Sequence, residues 1–342
     1  MSTERLAAAI AAQPKAGLAT LPTPLEEGPL LPGGARLWVK RDDLTGLGMG
    51  GNKARKLEHL CGAALAEGAN TLVTVGAGQS NHCRMTAAAG ARLGLEVHLV
   101  LGGPAPERPT GNQLLSALFG ARTHYPGTDD WDELEGAKDD LAEELRSGGR
   151  RPFAIPIGGS TAVGAAGFAA AFAELAEQCA GTGRWPRAIV HATSSGGTHA
   201  GLLAGRAAVA AGGRPVPEVV AFAVAKGILL AEWFVADLAD ETLAVLGLAG
   251  VRVDPADVHL EGSALGDDYA VPTPEADEAL LWAARHGGWV LDRVYTAKAF
   301  AGLLSLATDG RWGPGDDVVF WHTGGQPAVF APGGVPSQIR SK

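Results

Sequence analysis

Short apolar, β-branched runs alternate along the chain with longer stretches rich in alanine and leucine. The runs are RLWVK (36–40), TLVTV (71–75), EVHLVL (96–101), FAIPI (153–157), RAIVH (187–191), EVVAFAV (218–224) and DVVFWH (317–322). Bounded by Gly, Pro and charged residues, they predict strands. Between them apolar positions recur at helical spacing. In 52–67, Leu57, Leu60, Cys61 and Leu65 recur in this way and Gly68 follows as a stop. This alternation predicts an α/β fold of open, twisted, mostly parallel sheets with helices on both faces. The acidic stretch from Tyr125 to Arg150 predicts a solvated helix to which no chemistry is assigned. Neither a fixed-period repeat nor a linker breaks the pattern, so a second domain is expected as an insertion with two short crossings.

At 342 residues the chain exceeds one ordinary domain and can bury a full core. A hydrophobic fraction of 46% with 19% charged residues places it among globular proteins, without a run long enough to span a membrane. The start, MSTERLAAAIAAQP, lacks a basic segment followed by a strongly apolar core, which predicts a cytoplasmic protein. Cys61, Cys83 and Cys179 are too few and scattered for a disulfide framework or a metal site. The net charge of -9 argues against nucleic acid and leaves a small molecule as the expected partner.

Three glycine-rich turns carry candidate chemistry. In GLGMGGNKARKLEHL, Gly46 to Gly51 spell G-x-G-x-x-G, but a long charged loop separates them from the preceding strand, and Asn52 and Ala54 flank Lys53 where a P-loop needs Gly and Ser or Thr. The lysine is the better signal: at a helix start it faces the positive end of the macrodipole, which lowers its pKa and favours the nucleophilic amine. In GAGQSNHC, Gly76 to His82 offer a hydroxyl, an amide and helix-start N–H groups, a seat for a carboxylate, although Ser80 is equally an ordinary N-cap. In TSSGGTHAG, Ser194 to Thr198 suit a monophosphate and contain no lysine. Later turns bring Tyr269, Tyr295, Thr296, Lys298, His322 and Thr323, with aromatic rings suited to a flat ligand. A helix-start lysine, a separate neutral phosphate cup and flanking aromatics together suggest pyridoxal phosphate.

In chain order, KRDDLTGLGMGGNKARKLEHL, GAGQSNHCRMTAAAGARLGL, SSGGTHAGL, VYTAKAFAGL and HTGGQPAVF resemble the D-cysteine desulfhydrase and 1-aminocyclopropane-1-carboxylate deaminase family of tryptophan-synthase-like, fold type II pyridoxal-phosphate enzymes. The resemblance spans nearly the whole chain. It implies a large cofactor domain, 1–57 and 168–342, a small inserted domain, 58–167, and a homodimer. Lys53 would be the Schiff-base lysine, and Asn81 would meet the cofactor's phenolic oxygen. Ser195, Gly196, Gly197 and Thr198 would hold the phosphate, and Thr296 or Thr323 would meet the ring nitrogen. Gln79, Ser80, Asn81 and His82, with Tyr269 and Tyr295, would form the substrate side; Ser80 and Tyr295 would join Lys53 in catalysis. The deaminase branch reads VYEGK where this chain reads VYTAK, and a hydroxyl in place of that carboxylate weakens the electron sink. This favours β-elimination: D-cysteine to pyruvate, ammonia and sulfide, with L-cysteate or another β-substituted alanine, and the cyclopropane substrate, as rivals. A non-catalytic nucleotide-binding or sensor protein is the reading from another class. Ala297 and Gln326 leave side-chain specificity open.

Overall fold

The computed structural model describes residues 3–229 and 231–339. Its strands are β1 (Leu25–Leu30), β2 (Arg36–Arg41), β3 (Thr71–Gly76), β4 (Glu96–Leu101), β5 (Arg122–His124), β6 (Pro152–Ile155), β7 (Ala188–Thr193), β8 (Glu218–Ala223), β9 (His259–Glu261) and β10 (Asp317–His322). One sheet runs β1-β2-β10-β7-β8-β9 and the other β5-β4-β3-β6. Apart from the antiparallel β1–β2 pair, every pairing is parallel. The α/β fold of two mostly parallel sheets is therefore as expected. Every residue of β3, β7 and β10 is buried, as strands covered on both faces require. The strands without an apolar run in the sequence, β1, β5 and β9, all lie at sheet edges, where half the strand meets solvent.

The helices are α1 (Thr3–Ala11), α2 (Lys53–Ala66), α3 (Asn81–Leu93), α4 (Gly111–Leu118), α5 (Trp131–Ser147), α6 (Ala162–Thr182), α7 (Gly197–Ala210), α8 (Lys226–Leu229), α9 (Glu232–Val245), α10 (Pro274–Gly287) and α11 (Thr296–Thr308). Their ends are chemically marked. Ser80, Thr161 and Thr273 accept from the third N–H of α3, α6 and α10, and left-handed Gly94, Gly183 and Gly288 close the same helices. The small sheet is built wholly from residues between β2 and β7. The expected boundaries at 57/58 and 167/168 fall inside α2 and α6. Among the described residues no helix is long and apolar enough to cross a membrane.

Helices α6 and α7 meet at a close approach set by glycine. A Cβ on Gly201 would lie 2.2 Å from Ala165 O and 2.5 Å from Phe168 Cβ, whereas one on Gly181 in α6 meets nothing within 4 Å. Gly201→Ala is expected to destabilise by about 1–3 kcal/mol through overpacking. Gly181→Ala is expected to be neutral or to gain up to about 1 kcal/mol from helix propensity. Denaturant unfolding checks the pair, and equal effects at both positions would refute this packing argument.

Candidate active site

Five strand ends, those of β3, β6, β7, β8 and β10, open onto one cavity of about 690 Å³, the place where parallel sheets bind ligands. The route into it begins with an ionic cluster. Arg55 donates to both carboxylate oxygens of Asp42 at 2.8–3.0 Å and to both of Glu174 at 2.9–3.0 Å, fixing the start of α2 against β2 and α6. The glycine loop folds back over this cluster. Gly50 has φ +76, and a Cβ there would lie 1.8 Å from Asp43 O. The glycines serve chain packing, and what they deliver is Lys53, the first residue of α2.

Lys53 lines the cavity and, among the described residues, has no hydrogen-bond or ion-pair partner. Burial lowers its pKa to about 8. Lys298 is a different case, since its ammonium donates to Leu265 O at 2.7 Å and Asp268 O at 3.1 Å away from the lining.

At one end of the cavity the β7–α7 turn forms a cup in which Ser194, Ser195, Gly196 and Thr198 face inward. The Thr198 hydroxyl accepts from Asn52 Nδ2 at 3.1 Å, which leaves its own proton free to donate. Gly197 begins α7 just outside the lining, its N–H turned to Ser195 O at 2.9 Å and Ser160 Oγ at 3.2 Å. The cup residues themselves contain no lysine, as expected, but one stands behind them. Lys56, one turn along α2, is fully buried and donates to Gly158 O at 3.0 Å and Ser160 Oγ at 3.2 Å. Ser160 in turn donates to Ser195 Oγ at 2.9 Å, so the cation polarises the cup through two hydroxyls. A Cβ at Gly197 would stand 2.6 Å from Ser160 Oγ and 2.7 Å from Lys56 Nζ. Burial, then Lys53, pushes the Lys56 ammonium well below its ordinary pKa. In the sequence Lys56 reads as one more basic residue on α2; its spacing of three from Lys53 was the signal.

The facing wall holds Ser80, Asn81, His82, Tyr269 and Tyr295. Ser80 is both a lining residue and the N-cap of α3, accepting from Cys83 N at 3.1 Å. Thr74 Oγ1 donates to Ile155 O and therefore accepts from His82 Nε2 at 2.8 Å, leaving His82 Nδ1 a buried acceptor without a protein partner. Burial, with Lys53 and Lys56 nearby, holds this imidazole neutral. The Tyr269 and Tyr295 hydroxyls bond to each other; burial pushes Tyr269 up to about 12 and Tyr295 well above its usual value, so both remain phenols at neutral pH. Gln79, expected on the substrate side, lies outside the lining. Its amide donates to Thr110 O and Gln113 Oε1 and accepts from Asn112 N, docking α4.

Of the two hydroxyls expected at the ring nitrogen, only Thr323 lines the cavity. Thr296 is fully buried and locked to Asp292, accepting from its N–H at 2.8 Å and donating to Oδ1 at 2.7 Å. Asp292 lines the cavity without having been singled out in the sequence, and it also accepts from the N–H groups of Val294, Tyr295 and Thr296. Gln326 donates to Asp43 Oδ2 at 3.0 Å and Ala297 is buried, both away from the lining. The acidic helix does contribute: Trp131 and Asp132 at the start of α5 reach the rim, with Trp131 edge-on to Tyr269.

A ligand that fits must carry a carbonyl for Lys53, a phosphate for the polarised cup and a flat ring between them. The unpartnered Lys53 and the hydroxyl-lined cup backed by Lys56 meet the demands of pyridoxal phosphate, and the two-sheet fold is that of its fold type II enzymes. The chain belongs to the pyridoxal-phosphate dependent enzyme family, whose model matches residues 17–324. It is 38% identical over 325 residues to a D-cysteine desulfhydrase of Salmonella choleraesuis (strain SC-B67), covering 93% of this chain and 96% of that one. A crystal structure of an ACC deaminase homologue superposes with a TM-score of 0.85 at 37% identity, covering 96% of this chain and 97% of that one. A threonine deaminase from T.th., at 22% identity and TM-score 0.65 over 95% and 98% of the chains, shares the fold.

Lys56→Met should weaken pyridoxal phosphate binding by at least about tenfold, the scale of a hydrogen bond to a charged group, while pyridoxal without the phosphate binds as before. Equilibrium titration of both ligands checks it. An equal loss for both would separate Lys56 from the phosphate.

Proposed function

We propose that the protein is a pyridoxal-phosphate lyase that removes a β-sulfur group from a cysteine-like amino acid, with D-cysteine giving pyruvate, ammonia and sulfide as the leading substrate. The observation that carries this reading is that, of the two hydroxyls expected at the ring nitrogen, Thr323 alone lines the cavity, while Asp292 on the same lining is held by four donors of its own turn. A ring nitrogen facing a hydroxyl makes a weaker electron sink, adequate where the leaving group is good, as a thiol is. The likeness to D-cysteine desulfhydrases supports the same choice. L-Cysteate is less well served, because Lys53 is the one Lys or Arg on the lining among the described residues and a sulfonate finds no cation.

Pyridoxal phosphate, when bound, supplies an aldehyde for an amine and a ring that withdraws electrons from the substrate's α-carbon. The chain supplies the rest. Lys53 Nζ, neutral above about pH 8, is the amine for that aldehyde and the base for the α-proton. Ser194, Ser195, Gly196 and Thr198 hold the phosphate, while Gly197, expected among them, has its N–H taken up by Ser195 O and Ser160 Oγ. Ser80, with the backbone N–H groups of Asn81 and His82 at the start of α3, receives the substrate carboxylate. Tyr295, kept protonated by burial and paired with Tyr269, donates a hydrogen bond or proton on the substrate side. The division into 1–57 with 168–342 and 58–167 belongs to this proposal, as does a cytoplasmic location, which the three buried free thiols suit.

A homodimer is also part of the reading. Met49, Leu114, Leu118 and Phe330 are 52%, 44%, 71% and 73% exposed. A Cβ on Gly48 would lie 3.3 Å from Phe119, and one on Gly111 3.0 Å from Pro327 O, so the glycine loop, α4 and the 326–330 turn adjoin. Exposed apolar residues grouped in this way mark an interaction surface. Sedimentation of the native chain should give a dimer, and Leu118→Glu with Phe330→Glu a monomer; a dimer unaffected by both changes would place the interface elsewhere.

Release of ammonia and of the 2-oxo acid from a substrate panel, pyruvate from D-cysteine and L-cysteate and 2-oxobutyrate from the cyclopropane amino acid, tests the activity itself, with sulfide read alongside for D-cysteine. D-Cysteine is expected to exceed L-cysteate and the cyclopropane amino acid, and the reverse order would overturn the proposal. Lys53→Ala should abolish both the yellow absorbance and turnover. Ser80→Ala should cost about 1 kcal/mol as a lost cap and on the order of a hundredfold in turnover as a lost substrate contact. A lowered melting temperature with native turnover would leave Ser80 a cap.

A further inference from the structure

Arg84, on α3, is fully buried yet has no carboxylate partner among the described residues. Its guanidinium meets neutral acceptors: Gly48 O and, at 2.9 Å, Gly50 O through Nη1, Asn112 Oδ1 at 3.1 Å through Nε, and Asn81 Oδ1 at 3.4 Å through Nη2. An uncompensated buried cation is costly, and burial lowers the Arg84 pKa to about 9 with no nearby ionised group acting on it. Asn112, at the start of α4, completes the arrangement. Its Nδ2 donates to Asn81 Oδ1 at 2.9 Å and to Gln79 O at 2.8 Å. With Oδ1 of Asn81 held by two donors, its amide has one orientation, and Nδ2 is the group left to face the cavity.

We propose that Arg84 and Asn112 are positioning residues that aim the Asn81 amide at the phenolic oxygen of pyridoxal phosphate and keep that oxygen anionic. The inference rests on the proposed cofactor site and adds what holds Asn81 there. Two buried donors on its carbonyl polarise the amide, so the Nδ2–H donates more strongly. The guanidinium, one side chain behind, acquires in the phenolate the counter-charge that the chain does not provide. Because the same guanidinium grips Gly48 O and Gly50 O, it also joins the loop that carries Lys53 to the helix that carries Asn81.

The test compares equilibrium binding of pyridoxal phosphate with that of its 3-O-methyl ether, in which the phenolic oxygen cannot be an anion, to the native protein, Asn112→Ala, Arg84→Gln and Arg84→Lys. The native protein is expected to prefer pyridoxal phosphate by at least about tenfold, as a hydrogen bond to a charged group would give. Asn112→Ala and Arg84→Gln should reduce that preference to within about twofold of unity, while Arg84→Lys, which keeps the charge, retains part of it. A merely structural role would weaken both ligands equally and leave the ratio at its native value; that result overturns the inference. Should Arg84→Gln fail to fold, Asn112→Ala, which removes no charge, decides the matter. Failure of the native protein to bind pyridoxal phosphate at all would instead sink the proposed cofactor site.

Discussion

The Arg55 cluster is the constraint on which the site depends. Asp42 follows β2, Arg55 lies in the first turn of α2 and Glu174 comes from α6, so one guanidinium ties the large sheet, the lysine-bearing helix and the helix that packs on α7. Burial alone would lower the Arg55 pKa, but Asp42 and Glu174 reverse the effect and raise it above its ordinary value. Replacing such a cluster with apolar residues can be neutral for stability. Its contribution here is position: it fixes the axis and rotation of α2, and thereby where Lys53 and Lys56 point.

Two kinds of buried cation follow from that rotation. Arg55 faces carboxylates on the side of α6, where Lys40 of β2, its pKa still lowered by burial, also meets Glu174. Lys53 and Lys56, on another face of the same helix, meet no carboxylate, and both are pushed down in pKa. A lysine that loses its proton easily is a nucleophile and a base. One whose charge is uncompensated is a waiting partner for an anion. The helix thus separates structural charge from chemical charge by which face each residue occupies, with Arg55 only two positions from Lys53.

What the sequence discloses follows the same division between local and tertiary causes. The seven apolar runs became strands, the 52–67 periodicity became α2, and the 76–82 and 194–198 turns lie at strand ends around one cavity while the 46–51 turn packs behind Lys53, because each depends on short-range pattern and backbone freedom. Edge strands β1, β5 and β9 left no apolar run to read. Thr296 and Gln79 sat in legible motifs, yet a local hydrogen bond turns Thr296 to Asp292 and tertiary ones turn Gln79 to α4, both away from the cavity. Lys56, Ser160, Asp292, Arg84 and Trp131 acquire their places only when distant segments meet. Ser160, for example, touches the cup across 35 residues of sequence.

Lys56 lies behind the cup, Lys53 is on the lining, and Arg84 stands behind Asn81; none of the three pairs with a carboxylate among the described residues. A ligand with a phosphate at one end and an anionic oxygen on its ring would match them. Thr323 and an Asp292 already saturated by four donors also line the cavity and would be left for the ring nitrogen. On the proposed placement, donors would gather on the phosphate and phenolic sides, and the ring nitrogen would face a hydroxyl. An environment of that kind holds the cofactor firmly while leaving it only a moderate acceptor of electrons, which matches a substrate whose own leaving group, a thiol, can carry the charge away.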